Sequence, residues 1–456
     1  MNNKWIPETR DPNTPKYQAL VSSIEVAIMT GGLRPGEKLP SNREISEQFG
    51  VTVATVSRAM GEAVRRGLVE TRVGSGTFVC DAADPAPQFD NVVADLSLNT
   101  LPTGVVNSIL AKAMNRLPAN ALQESLFSYH SYVPSQNHRQ LAAGWLMTPS
   151  GTASSSRLLC TAGVHQGLLA AFKTLLRPGD SAVCEALTYT GIKRIAEYSN
   201  VDLTAAQCDE GGVIPESVDE VLKRTKAKVI VLTPTMHNPT TATLSLSRRE
   251  ALVKVIRSNE AVLIEDGVNV PLANDGLPTL TSLMPDRSVY LTGLSKCVAS
   301  GFRLGYALVP EIYFHPFHEA LVSTQWIGPG VYSALAESIL GDGSLTECIE
   351  LHRKEARERV SLARRFISGV RETESTAYHV WVPVATVAQV NDFCTRAQQA
   401  GVRVSPGPHF AVAADTTQVG YRISLGTVGA RDDIERALRV LARVNDVPNT
   451  SFATLI

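Results

Sequence analysis

The stretch from Ser288 to Tyr306, SVYLTGLSKCVASGFRLGY, decides how the larger part of the chain is interpreted. An apolar run is followed at once by Lys296, and Arg303 comes seven positions later between two glycines. A lysine directly after a buried parallel strand lies at the carboxyl edge of the sheet, where α/β proteins bind ligands. A partly desolvated amine there can form a Schiff base, and a planar guanidinium suits a phosphate. A surface lysine is the usual explanation of an isolated Ser-Lys pair, so the neighbouring segments have to decide.

Similar apolar runs recur upstream and alternate with helical stretches. The runs are SAVCEA, KVIVLTP and AVLIED, and helices such as GLLAAFKTLL and SRREALVKVIRS separate them. This alternation predicts an α/β domain with a doubly wound, mainly parallel sheet, from residue 96 to about residue 330. After a long charged helix, HRKEARERVSLARRF, strands and helices alternate in a smaller α+β subdomain within residues 331–456.

Polar residues follow these predicted strands. Asp266 ends AVLIED, Asn238 lies just past KVIVLTP, and Tyr189 follows SAVCEALT. Each has an ordinary alternative: a capping aspartate, an Asx turn before proline and a core tyrosine. Together they offer a carboxylate for a pyridine nitrogen, an amide for a ring hydroxyl and an aromatic ring for stacking. Residues 161–166, TAGVHQ, open a helix whose free amides can hold a phosphate.

The order of these features resembles that of fold type I aminotransferases, over about residues 96–450. The resemblance implies pyridoxal 5'-phosphate as the cofactor and Lys296 as its Schiff-base and catalytic residue. The other cofactor-binding residues that it implies are Asp266 at the ring nitrogen, Asn238, Asn269 and Tyr189 around the ring, and Arg303, Ser295, Gly163, Val164 and His165 near the phosphate. Taken alone, His165 is more commonly an ordinary residue of a helix N-terminus than a catalyst.

Two further residues extend this resemblance. Arg422, in the run YRIS, falls where relatives bind the carboxylate of the substrate, and a surface salt bridge is the competing explanation. We favour the functional role because a strand of buried composition needs a reason to contain arginine. Tyr132, in the run SYVP, resembles the tyrosine that relatives lend to the phosphate of the neighbouring subunit.

Three positions depart from the aminotransferase pattern. Asn269 stands where such enzymes usually have a tyrosine bonded to the ring hydroxyl, Ser300 replaces a common proline, and Gly293 replaces a serine near the phosphate. An amide cannot ionise as a phenol does, so tuning of the cofactor would change. The chain is therefore expected to bind the cofactor, with at most a weak aminotransferase-type half-reaction.

The first 79 residues predict a winged helix-turn-helix. Apolar spacing indicates a helix from Lys16 to about Thr30, a short helix capped by Ser41, and a third helix from Thr52 to about Arg66. LVETR and TFV follow as two strands of a hairpin, and residues 80–95 have the composition of a linker. The candidate DNA-binding residues are Arg43, Thr52, Val53, Thr55, Ser57, Arg58 and Gly74. A solvated helix face would be the ordinary explanation of such residues in isolation.

Residues 15–79 resemble the DNA-binding domain of the GntR family. The resemblance rests on an ordered series of short motifs that includes PKY, LPS, GVT and GSGTFV. It implies that Arg43, Thr52, Thr55 and Ser57 contact an operator and that Gly74 lets the wing reach the minor groove. Val53 stands where many relatives carry an arginine that reads guanine. Because valine offers only methyl contact, we hypothesise a thymine-rich operator position there.

Composition narrows the class of protein. With 456 residues, 44% hydrophobic and 19% charged, the chain is too apolar to be mainly disordered, and no apolar run has the length of a membrane span. Seven cysteines without a Cys-x-x-Cys pair argue against a disulfide scaffold or a zinc site, so a cytoplasmic protein without a metal is expected. Residues 1–79 hold ten Lys and Arg against eight acids, whereas the remainder holds 33 against 36. DNA contact should therefore be confined to the small domain.

The combination of the two domains resembles the MocR subfamily of bacterial transcription regulators. It implies a head-to-tail homodimer that binds operator DNA and senses an amine, an amino acid or the cofactor itself. Two other classes stay open: an active aminotransferase with an appended DNA-binding module, and a DNA-binding protein whose large domain has lost its cofactor. The joint retention of Lys296, Asp266, Asn238 and Arg303 argues against the last.

Overall fold

The computed structural model describes residues 16–29, 33, 36–65, 68–72, 76–79, 94–117, 131–146, 154–373, 375–413, 416 and 418–446. The chain divides into two compact units, Met1–Asn91 and Val92–Ile456. The predicted linker, residues 80–95, lies outside the described residues except for its last two.

The N-terminal unit is a winged helix-turn-helix, as predicted. Its elements are α1 (Lys16–Met29), α2 (Asn42–Phe49), α3 (Val53–Arg65) and the antiparallel strands β1 (Val69–Arg72) and β2 (Gly76–Val79). The Ser41 side chain caps α2 in a reciprocal box with Glu44, and Gly50 ends it with φ 63°. These caps set the tight turn between α2 and α3, which pack over a shared apolar core.

A seven-stranded sheet forms the centre of the second unit. Its strands are β4 (Leu158–Thr161), β5 (Ser181–Glu185), β6 (Asp202–Ala206), β9 (Val229–Leu232), β10 (Val262–Asp266), β11 (Ser288–Gly293) and β12 (Gly305–Leu308). Their order across the sheet is β4-β12-β11-β10-β9-β5-β6. The pairs from β11 to β6 are parallel, and β12 is antiparallel to both neighbours. The mainly parallel sheet is confirmed. Short strands β3 (Ala94–Asp95), β7 (Cys208–Asp209) and β8 (Gly212–Val213) lie outside it.

Helices cover both faces of this sheet. They are α4 (Asn107–Asn115), α5 (Gln136–Trp145), α6 (Val164–Leu175), α7 (Thr190–Ser199), α8 (Pro215–Thr225), α9 (Leu246–Ser258), α10 (Leu280–Leu283), α11 (Glu311–Thr324) and α12 (Gly330–Gly341). Alternate residues of the strands supply separate cores: Val231 and Ile264 pack on one face, Ile230 and Leu263 on the other. Burial on both faces explains why the strands have continuous apolar sequences.

The smaller α+β subdomain follows the long helix α13 (Ser344–Phe366). It consists of β13 (His379–Pro383), α14 (Val387–Gln399), β14 (Val402–Arg403), β15 (Ser405–Pro406), β16 (Gly420–Ser424) and α15 (Arg431–Asp446). Strand β16 lies between β13 and β15, and β14 pairs with β3. None of the helices in the described part of the chain is both long and apolar enough to cross a membrane.

Candidate functional site

The predicted cofactor residues lie where strands of the central sheet end. Because β5, β9, β10 and β11 run parallel, their carboxyl ends share one edge. Tyr189 follows β5, Asn238 follows β9, Asp266 is the last residue of β10, and Lys296 lies in the turn after β11. Four side chains that are far apart in sequence therefore lie at one edge of the sheet.

Lys296 is half-buried, and its Nζ donates to the backbone carbonyl of Asn99. Burial is the main reason that the pKa of Lys296 falls to about 8, and the guanidinium of Arg422 adds to this by repelling a second positive charge. A lysine with this pKa is partly neutral near pH 8, which is the form that attacks an aldehyde.

Asp266 is buried, and burial raises its pKa to about 6. One backbone donor, the amide of Val268 at 3.1 Å from Oδ1, and the nearby charge of Lys296 oppose that shift. Among the described residues the Val268 amide is the only hydrogen-bond donor to this carboxylate. A buried carboxylate with one weak partner can pair with a protonated ring nitrogen.

A second set of residues, around Gly163 and Arg303, suits a phosphate. Gly163 precedes α6 with φ 80°, a backbone conformation that favours glycine, and its missing Cβ lets Nη2 of Arg303 approach to 2.6 Å from the Cβ position. The same guanidinium lies 3.4 Å from Oγ of Ser295. The first amides of α6, at Val164 and His165, have no acceptor within their own helix. These groups can together bind a dianion.

Two more of the predicted residues, Asn238 and Tyr189, lie close to these charged groups. Asn238 accepts a hydrogen bond from Nη1 of Arg422 at 2.7 Å through Oδ1, so its Nδ2 remains available to a ring hydroxyl. The ring of Tyr189 is half-buried and meets the His165 ring edge-on at 6.5 Å. Burial, followed by the charge of Asp266, raises the pKa of Tyr189 and keeps its phenol neutral.

Asn269 and Tyr132 each donate a side-chain hydrogen bond to a backbone carbonyl of the same chain. Asn269 is buried, and its Nδ2 donates to the carbonyl of Met236 at 2.7 Å, which ties it to the loop carrying Asn238. The Tyr132 hydroxyl donates to the Gln325 carbonyl at 2.7 Å and is buried within its own chain. Nε2 of Gln166, in the first turn of α6, donates to the same hydroxyl at 2.9 Å, so Tyr132 lies beside the start of that helix, and its role toward a neighbouring subunit stays a prediction.

Arg422 is 5% exposed and lies on β16, the strand between β13 and β15 in the small subdomain. Its Nη2 donates to the Ser97 carbonyl and to Oγ of Ser405, and Phe410 covers its face at 4.9 Å. Sequence reasoning missed these neighbours, because Ser97 acts through its backbone and Ser405 lies in a short strand without a polar pattern. Only the adjacency of Ser405 to the Pro406-Gly407 turn could have drawn attention to it.

In the N-terminal unit, most predicted DNA-binding residues are accessible. Arg43, Thr52 and Ser57 are exposed, and Val53 is 43% exposed at the start of α3. Thr55 is half-buried, and its amide donates to the Thr52 hydroxyl at 3.2 Å. Thr52 thereby caps α3, with its neighbours on the exposed first turn.

Arg58 and Gly74 need separate comment. The guanidinium of Arg58 lies 4.1 Å from the centre of the Tyr17 ring, so it packs on α1 as well as lying on the exposed face of α3. Gly74 lies outside the described residues.

The residues present fit pyridoxal phosphate. A buried carboxylate with a single backbone donor among the described residues, a glycine beside Arg303 and an amine of lowered pKa match the ring nitrogen, the phosphate and the aldehyde, respectively. In the part of the chain that is described, no three His, Cys, Asp or Glu side chains converge as a metal site.

Comparison with known families agrees with both domains. The family model of class I and II aminotransferases matches residues 91–441, and that of the bacterial regulatory proteins of the gntR family matches residues 16–79. Pyridoxal 5'-phosphate is the cofactor that the aminotransferase domain implies.

Individual relatives include both regulators and enzymes. YdeF of Bacillus subtilis (strain 168), named as an uncharacterized HTH-type transcriptional regulator, is 26% identical over 97% of each chain. The pyridoxine biosynthesis regulator PdxR of Corynebacterium glutamicum is 25% identical over 78% of this chain and 79% of its own. Among solved structures, LysN, an α-aminoadipate aminotransferase of Thermus thermophilus, superposes with a TM-score of 0.69 at 20% identity, covering 85% of this chain and 97% of LysN.

The last similarity shows the fold, and the family models span both units of the chain. The chain therefore belongs to the aminotransferase class I and II family and carries a gntR-family domain ahead of it, which is the architecture of the MocR regulators.

Proposed function

We propose that this protein is a DNA-binding transcription regulator that holds pyridoxal phosphate on Lys296 and senses an amine or amino acid through it. The observation that carries the proposal is that Lys296, Asp266 and Asn238 meet at one sheet edge in a chain that also presents an exposed helix-turn-helix face. A homodimer, head-to-tail in arrangement, is part of the same proposal.

Each residue has a task that follows from its surroundings. The bound cofactor supplies an aldehyde that bonds reversibly to amines and a ring that absorbs visible light. Lys296 provides the amine, Asp266 holds a proton on the ring nitrogen, and Arg303 with the amides of α6 binds the phosphate. Arg422 offers a cation to the carboxylate of an amino acid.

A regulator is favoured over an aminotransferase for two reasons. The curated relatives YdeF and PdxR are named as transcriptional regulators. Asn269 stands in place of the usual tyrosine. Its amide donates a hydrogen bond to the Met236 carbonyl and, unlike a phenol, cannot ionise. Because PdxR is named for pyridoxine biosynthesis, the cofactor itself is a second candidate signal.

The proposal is tested by following cofactor and operator together. The full chain is loaded with pyridoxal phosphate and titrated with a panel of amines and amino acids, while the visible band and the Kd for a selected operator are measured. We expect at least one amine, or the cofactor itself, to change both. Steady turnover of an amine with a keto acid at constant operator Kd would instead support the aminotransferase.

Arg43 on α2 provides a test of the DNA-binding face. We expect Arg43→Ala to weaken operator binding by about fivefold regardless of sequence and to reduce the salt slope by about 1 per chain, because it removes one phosphate contact. Filter binding across a salt series measures both. Arg224→Ala, which removes an exposed arginine from α8, is the matched control and should bind as the wild type does. Unchanged binding by Arg43→Ala would contradict the proposed face.

Val53 provides a test of sequence preference. We expect binding-site selection with the wild type to return a thymine-rich position opposite α3, since the valine methyls can contact only the thymine methyl. The Val53→Arg variant should shift that position toward guanine. An invariant guanine selected by the wild type would contradict the hypothesis.

A further inference from the structure

The hydrogen bonds around Arg422 leave it unable to bind a carboxylate in the usual way. Nη1 donates to Asn238 at 2.7 Å, while Nη2 donates to the Ser97 carbonyl and, at 3.2 Å, to Oγ of Ser405. Nε is buried and has no partner among the described residues. A guanidinium has five N–H groups, and a carboxylate binds it through two parallel donors on one edge.

Both edges of the guanidinium include Nη2, whose two hydrogens are already used. One edge combines Nη2 with Nε, and the other combines it with Nη1. A carboxylate therefore needs at least one of the two acceptors, Ser97 or Ser405, to leave. Because Nε has no partner among the described residues, the edge formed by Nη2 and Nε already has one free donor for a ligand.

Ser97 belongs to a segment, Leu96–Leu101, that we call the strap. The strap also supplies the Asn99 carbonyl that accepts from Lys296, and its Leu101 amide donates to Oγ of Ser300 at 2.7 Å. Ser300 is the residue that replaces the proline of the aminotransferase pattern, so this substitution creates an anchor for the strap.

His379 anchors the middle of the strap. Its Nε2 lies 3.3 Å from the carbonyl of His237, which can only accept, so Nε2 carries the proton. Nδ1 is then the acceptor for Nδ2 of Asn99, also at 3.3 Å. The strap is thus held beside Lys296 and Arg422 by hydrogen bonds on its two sides.

We propose that the strap competes with the carboxylate of a ligand for Arg422, and that Ser405 is the residue that sets this competition. The inference rests on the proposed function. A ligand with a carboxylate displaces the Ser97 carbonyl, or the Ser405 hydroxyl that holds that carbonyl at 2.8 Å, and either displacement loosens the strap, whereas an amine without a carboxylate leaves the strap in place. Because the strap follows directly after the predicted linker in sequence, the two ligand classes leave the start of the large domain in different states.

Ser405 has this role because its hydroxyl bonds both to the strap and to the guanidinium for which strap and ligand compete. It donates to the Ser97 carbonyl at 2.8 Å and accepts from Nη2 of Arg422. Replacing it with alanine removes a donor that holds the strap and frees one N–H of the guanidinium. Ser405→Ala should therefore favour the carboxylate over the strap.

The test uses propionate, a carboxylate probe that carries no amine, and hydrogen exchange of the strap amides in the full chain. We expect propionate, compared with chloride at equal ionic strength, to speed exchange at the Leu101 amide by about threefold to tenfold, because its bond to Ser300 opens. The half-effective concentration should fall several-fold in Ser405→Ala. Ser424→Ala, which removes a buried hydroxyl that has no partner in the described part of the chain and lies two residues from Arg422, should match the wild type.

The outcomes separate this inference from the proposed function. If propionate leaves the hydrogen-exchange rates of the strap amides unchanged in both the wild type and Ser405→Ala, the proposed competition is wrong, even if amines shift the visible band. Propionate-dependent exchange in a chain that shows no band with pyridoxal phosphate leaves the competition standing and overturns the sensor function. An equal response to propylammonium and propionate also counts against the strap, because only the carboxylate can pair with Arg422.

Discussion

Lys296→Ala is expected to remove the visible absorption band of bound pyridoxal phosphate completely. The band depends on a covalent link between the cofactor aldehyde and a neutral amine, and Lys296 is the amine placed beside Asp266 at the sheet edge. Asp266, Asn238 and Arg303 would remain, so weak non-covalent binding of the cofactor should survive. Absorbance after removal of free cofactor measures the loss.

The pH dependence of the rate at which this band forms follows from the pKa of Lys296. Burial and the neighbouring guanidinium of Arg422 disfavour the charged amine, which lowers the pKa from 10.5 to about 8. Below that pH the amine is mostly protonated and cannot attack, so the rate of cofactor attachment should rise through pH 7–8.5 and then level off. A midpoint near 10.5 would contradict the assigned burial.

A matched control separates the site from general effects of lysine loss. Lys228 has a side chain that is 63% exposed and pairs with Glu260 at 3.6 Å on the surface. Lys228→Ala should keep the band and its pH profile, because a pair of that kind contributes little. A band retained by Lys296→Ala would show that another amine holds the cofactor.

The placement of the candidate residues at one sheet edge could be predicted from the sequence, for a topological reason. Asp266, Asn238 and Lys296 each follow an apolar run, and parallel strands bring their carboxyl ends to one edge whatever the loops do between them. Ser41 and Gly50 likewise mark the ends of α2 through local chemistry that can be read in sequence.

The contacts that control access to Arg422 could not be predicted in this way. The Ser97 carbonyl lies 325 positions from Arg422 in sequence, and a backbone acceptor leaves no mark in the identity of its residue. Ser405 is one small residue in a two-residue strand, and its importance depends on the register that sets it opposite Arg422. Tyr132 is linked to a neighbouring subunit by resemblance, whereas its burial depends on packing that no local pattern encodes.

Asp266→Asn is expected to weaken cofactor binding and, at the same time, to stabilise the cofactor-free protein. Its buried carboxylate has one backbone donor and a pKa raised from 3.8 to about 6, so the ionised form costs folding free energy on the order of 1–3 kcal/mol above pH 6. That cost is present above the folded pKa and disappears as the pH falls below 3.8. A neutral asparagine avoids it, so Tm without cofactor should rise by a few degrees at pH 7.5.

Cofactor binding should respond in the opposite direction. A protonated ring nitrogen pairs with the Asp266 carboxylate, and losing one partner of a buried charge pair costs about 3 kcal/mol, or roughly 100-fold in Kd. Since the ligand favours the ionised carboxylate, binding to the wild type should weaken as the pH drops through about 6, and the asparagine variant should lack that dependence. Fluorescence titration from pH 5.5 to 8 gives both results.

Asp275→Asn is the matched control for this pair of effects. Oδ1 of Asp275 accepts from the Leu277 amide at 3.0 Å, the same two-residue spacing as between Asp266 and Val268, but Asp275 is exposed. Its replacement should leave both Tm and cofactor affinity unchanged. A variant that had only lost its fold would show a lower Tm together with weaker binding, whereas a higher Tm with weaker binding identifies a carboxylate kept for the cofactor at the expense of stability. If Asp266→Asn bound the cofactor as tightly as the wild type, the ring nitrogen would not lie against this carboxylate.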